Sequence, residues 1–102
     1  MSTTPYFVVM LDYRHLGREA IVNPNHDWND TLGLVEDAAA DGQIVHFVHE
    51  MRDGVVRDRS EEAYQAICTR LANENEPLTD AQFGWVEKHI SMQAAASFRR
   101  VA

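Results

Sequence analysis

The apolar residues of this chain follow two periods. From Tyr6 to Leu11 the run Tyr-Phe-Val-Val-Met-Leu is apolar on both alternate faces, which suits a central strand, since an exposed edge of that composition invites aggregation. Its polar continuation, Asp12-Tyr13-Arg14, emerges at the end of the sheet. Gly17 supplies a turn, and Glu19 to Asn23 reads as a short second strand ended by Pro24. Gln43 to Arg52 is the next strand. Asp53-Gly54 follows it, the strongest short hairpin signal in the chain, and Val55 to Asp58 returns as its partner.

Between and after these strands the period becomes helical. Trp28, Leu32, Val35 and Ala39 make one stripe, with Asp27 as N-cap and Gly42 as a left-handed C-cap. Ser60 is read as the cap of a second helix, which carries Glu61 and Glu62 in its first turn and Tyr64, Ile67, Cys68 and Leu71 on one face. That helix ends at the break from Asn73 to Pro77. Thr79 and Gln82 form a capping box at the start of a last helix, with Leu78 and Phe83 placed as a hydrophobic staple. Phe83, Val86, Ile90 and Ala94 are its main stripe, widened by Trp85 and Met92.

The predicted order is β-β-α-β-β-α-α. It describes one α+β domain over residues 1–102, a small antiparallel sheet of three to four strands with helices packed on one face. Without the first hairpin the order becomes β-α-β-β-α plus a C-terminal helix, which is ferredoxin-like. Tyr6-Phe7-Val8-Val9 and Ser60-Glu61-Glu62-Ala63 are similar to the strand and helix-start patterns of YCII-like small α+β proteins. That resemblance implies a small dimeric domain with a ferredoxin-like core and carries over no catalytic residue.

Composition narrows the function classes. With 9 basic and 16 acidic residues the net charge is −7. This argues against nucleic acid, whose phosphates need clustered Lys and Arg, and against an anionic membrane surface. Cys68 is the single cysteine, so no intramolecular disulfide forms, and the run Tyr6 to Leu11 is too short for a signal segment or a span. These features predict a cytoplasmic protein. Eight of the nine basic residues are arginine, a bias that GC-rich bacterial genomes produce.

Four groups of residues carry candidate chemistry. On a regular strand Ile44, His46, Val48 and Glu50 share one face and Val45, Phe47, His49 and Met51 the other. His46 and Glu50 then form a site if Asp12, His15 or His26 joins them, although satisfied strand histidines are the default and no metal or cofactor is predicted. Arg57 and Arg59 share a face beside the start of a helix and suit a small anionic ligand; the simpler reading is a charged hairpin paired to Glu50 or Glu61. Cys68, set in an apolar stripe, is a core thiol rather than a nucleophile. Trp85, Met92, Ala95 and Phe98 spread apolar surface around the last helix and suggest a homodimer or protein-partner interface.

The expectation from these features is a non-catalytic interaction or regulatory module acting as a homodimer. The alternative is a small-molecule or anion-binding domain, or a minor enzyme, with a His/Asp/Arg cleft. A third possibility is an acidic inhibitor that mimics nucleic acid.

Overall fold

A computed structural model describes residues 5–13, 17–23 and 27–99. Its elements are β1 (Tyr6–Tyr13), β2 (Gly17–Asn23), α1 (Trp28–Ala40), β3 (Val45–Arg52), β4 (Val55–Asp58), α2 (Ser60–Glu74), α3 (Asp80–His89) and α4 (Met92–Ala96). The four strands form one sheet in the order β2-β1-β3-β4, every neighbouring pair antiparallel. β1 is therefore central, as its two-faced apolar run requires. Because β1 lies between β2 and β3 and opposes both, β2 and β3 run parallel, and α1 joins them across β1. The first hairpin is present, so the ferredoxin-like alternative gives way to the order that begins with two strands.

Local chemistry accounts for the boundaries. The Asp27 carboxylate accepts the Asp30 N–H at 2.8 Å to start α1, and the chain leaves it through Gly42 at φ +68°. That positive φ favours glycine, and a Cβ there would also press on Ala81 at 3.3 Å. Asp53 and Gly54 both have positive φ, 52° and 77°, which gives the β3–β4 connection the twist a two-residue hairpin needs. Thr79 and Gln82 make the reciprocal capping box of α3, their bonds 3.0 and 3.1 Å long.

Two boundaries differ from expectation. Ser60 is the first residue of α2 rather than its cap; its hydroxyl accepts the Val48 N–H at 2.8 Å, and Asp58 Oδ1 accepts the Ser60 N–H. The last helix is two helices. Ser91 adopts an extended conformation and its hydroxyl accepts the Ala94 N–H at 2.9 Å, so a second N-cap interrupts the apolar stripe.

The break turns both pieces onto one core. Val9, Leu11, Val45 and Val48 of the sheet pack with Leu32, Val35, Ala38 and Ala39 of α1, Ala63, Ile67 and Leu71 of α2, Trp85 and Val86 of α3 and Ala95 of α4. All four helices thus serve the same face of the sheet, termed inner here. Arg70 of α2 reaches α1, donating to Glu36 at 2.9 Å and to Asn29 at 2.7 Å. No helix among the described residues is long and apolar enough to cross a membrane.

Candidate functional site

The outer face of the sheet is the polar–apolar feature without a helix over it among the described residues. Alternation along β1 directs Phe7, Val9 and Leu11 inward, where they are buried, and leaves Val8, Met10 and Asp12 outward and half-buried. β3 does not keep that alternation. Met10 pairs with Phe47 but Leu11 pairs with Val45, so His46 is an extra residue, a β-bulge. The bulge resets the parity of the strand: Val45, Val48 and Glu50 are buried on the inner side, while Phe47, His49 and Met51 stand opposite the outward residues of β1. Val56 of β4 pairs with Met51 and is 56% exposed.

This geometry decides where each candidate lies. His46 does not share a face with Glu50, because the bulge separates them. His46 Nε2 approaches Asp12 Oδ1 at 3.8 Å, beyond hydrogen-bond distance, and has no hydrogen-bond partner among the described residues. Asp12 and His46 are therefore brought together, without Glu50. His15 and His26 lie outside the described residues. No group of three or more His, Cys, Asp or Glu residues that could hold a metal ion occurs among the described residues.

Glu50 is committed beneath the sheet. Its carboxylate, with 8% of the side chain exposed, pairs with Arg59 and, at 3.3 Å, with Arg52. Arg59 also pairs with Glu62, and its guanidinium lies 4.1 Å over the Trp28 ring, which in turn packs on Phe7 with centroids 5.4 Å apart. The hydrogen bond from Arg59 holds the Glu62 carboxyl below its ordinary range, and the same bond raises the Arg59 guanidinium. Arg57 opposes Glu50 in register and is exposed. The two arginines do share a side, as expected, but Arg59 is occupied by internal carboxylates, which favours the charged-hairpin reading over an anion clamp. The partner on α2 is Glu62 in place of the expected Glu61.

The expected interface on the last helix is corrected by the same core. Trp85 is 2% exposed and Ala95 fully buried, while Phe98 packs partly against the core; only Met92, 73% exposed, faces solvent. Those apolar residues are absorbed internally because Ser91 divides the helix and lets each half turn inward. Cys68 is half-buried beside the core and burial pushes its thiol up, away from nucleophilic character.

Sequence reasoning missed the apolar outer face as a unit and also His89. The His89 ring is stacked on Trp85 with centroids 4.2 Å apart and meets the Tyr64 ring edge-on at 5.1 Å. Its Nε2 accepts the Val45 N–H at 2.8 Å, and its Nδ1 lies 2.8 Å from the Trp85 carbonyl. The two-faced apolar run of β1 was the available signal for the first. For the second there was none, since the bond spans 44 residues. No protein-family model matches this chain, and neither curated proteins nor solved structures provide a match.

Proposed function

We propose that this chain is a non-catalytic interaction module that works as a homodimer, its two copies joined through the outer faces of their sheets. The observation that carries the reading is the apolar set Val8, Met10, Phe47, Met51 and Val56 on a sheet face with no described helix over it. A large apolar patch of this kind is a mark of an interaction site.

Area and charge favour a second copy as the occupant. At ordinary strand spacing the face covers roughly 400 Å² in plan, so two such faces together approach the roughly 1,000 Å² of a specific interface. Its charged residues come as mixed pairs. Asp12 and His46 mark one end, and Asp58 stands opposite His49 between the Phe47 and Met51 rows. A closed twofold dimer can therefore set acid of one copy toward base of the other without a like-charge patch at its centre. A His/Asp/Arg cleft is less well supported, since Glu50 and Arg59 neutralise one another on the inner side while His46 lies outside.

Methionine methyl groups give a direct test. On dilution from about 1 mM to about 1 µM, a range that spans common dimer affinities, the methyl resonances of Met10 and Met51 are expected to shift. Met92, exposed on α4, is the internal control and should stay fixed. Movement of Met92 with Met10 and Met51 unmoved would overturn the sheet-face reading.

A further inference from the structure

We propose that His89 is a proton-operated guard of the unpaired edge of β3, a device separate from the outer face. β4 pairs only with His49 to Arg52, so among the described residues the first half of β3 has no strand beyond it. An open row of backbone donors and acceptors there would be a template for pairing with another chain.

Val48 faces that side by the regular alternation of β3, the bulge at His46 brings the Val45 peptide groups to the same side, and Arg59 with side chains of α2 and α3 meets them. Ser60 Oγ accepts the Val48 N–H at 2.8 Å, and the Arg59 N–H donates to the Val48 carbonyl at 2.8 Å. The Tyr64 hydroxyl donates to the Val45 carbonyl at 3.0 Å, and His89 Nε2 accepts the Val45 N–H at 2.8 Å. Four edge groups are satisfied in this way, and three of those partners keep their roles across the physiological pH range. His89 does not.

Both of its bonds are satisfied only by the neutral tautomer that carries the proton on Nδ1, donating to the Trp85 carbonyl and leaving Nε2 to accept. A second proton on Nε2 sets one donor against another at Val45. Burial opposes that proton most strongly, while the bond to the Trp85 carbonyl favours it. Lys88 on α3 and His46 on β3 oppose it, Tyr64 of α2 offers an uncharged ring edge, and Asp12 of β1 lies beside His46. The net effect, led by burial, lowers the His89 proton affinity. The native state therefore resists a proton that the unfolded chain accepts at an ordinary histidine pKa of about 6.5. The bond is fully formed above that pH and is lost as the pH falls through the lower native value, releasing the edge at Val45.

The test is amide exchange at Val45, corrected for the intrinsic pH dependence of exchange, in the wild type and in His89→Gln. Glutamine can accept the Val45 N–H through Oε1 and does not titrate in this range. Protection in the wild type is expected to fall at least about tenfold between about pH 7 and about pH 5, while H89Q stays level. Equal protection of the wild type at both pH values, or the same fall in H89Q, would overturn the proposal. Should H89Q fold poorly, titration of the wild-type imidazoles by NMR decides the matter. The Val45 amide must move with the midpoint of His89; movement with the midpoint of His46 refutes it.

Discussion

The two faces of this sheet are nearly equal in apolar content and opposite in circumstance. Inward, Val9, Leu11, Val45 and Val48 are buried under helices drawn from the whole second half of the chain as well as α1. Outward, Val8, Met10, Phe47 and Met51 remain half-buried and Val56 exposed, with no described helix above them. The difference teaches that a two-faced apolar strand locates a central position in the sheet without saying what covers each face. One face is completed within the chain. The other calls for a covering surface, the place we propose for a second copy.

The largest effect should come from the inner side. Trp85→Ala removes a fully packed indole and is expected to cost about 3–5 kcal/mol in urea unfolding. Val8→Ala on the outer face should cost less than about 1 kcal/mol in the separated monomer. Comparable losses at both positions would mean that the outer face is covered within one chain, and the contrast would fail.

An intermediate effect tests the polar corner of the inner face. Arg59→Ala leaves the buried Glu50 carboxylate with Arg52 alone, an exposed partner. It also removes the stacking over Trp28. A loss of about 2–3 kcal/mol is expected, below that of a wholly buried pair because the corner touches solvent. A loss under about 0.5 kcal/mol would show that Glu50 is hydrated and the corner belongs to the surface.

How much of this contrast was legible beforehand depends on the range of the interaction. Thr79-Asp80-Ala81-Gln82, Asp27 and Asp53-Gly54 act within a few residues, and each structure they imply is present. The bulge at His46 was not legible, because a two-residue period has no mark for an inserted residue. That one residue sent Glu50 inward to Arg59 and left His46 outside with Asp12. Ser91 was legible in principle, as a short polar residue before Met92-Gln93-Ala94. The apolar stripe continues through that cap and conceals it, so Trp85 and Ala95 read as surface from the sequence although both are buried. The long-range partners of Val45, namely Tyr64 and His89, left no local trace.

The smallest expected effect lies away from both faces. Thr79→Ala removes one side of the capping box and should lower stability by about 1 kcal/mol without changing association. A change in association with it would link α3 to the interface and weaken the separation of the two faces.

Sedimentation equilibrium of the wild type beside Met51→Glu tests the central claim most directly. The wild type is expected at twice the 11.6 kDa of one chain. M51E should shift toward 11.6 kDa with its circular dichroism unchanged, since the substitution places a charge at the apolar interface but outside the core. A wild type that stays at 11.6 kDa up to about 0.1 mM, or a dimer that M51E leaves intact, would contradict the account.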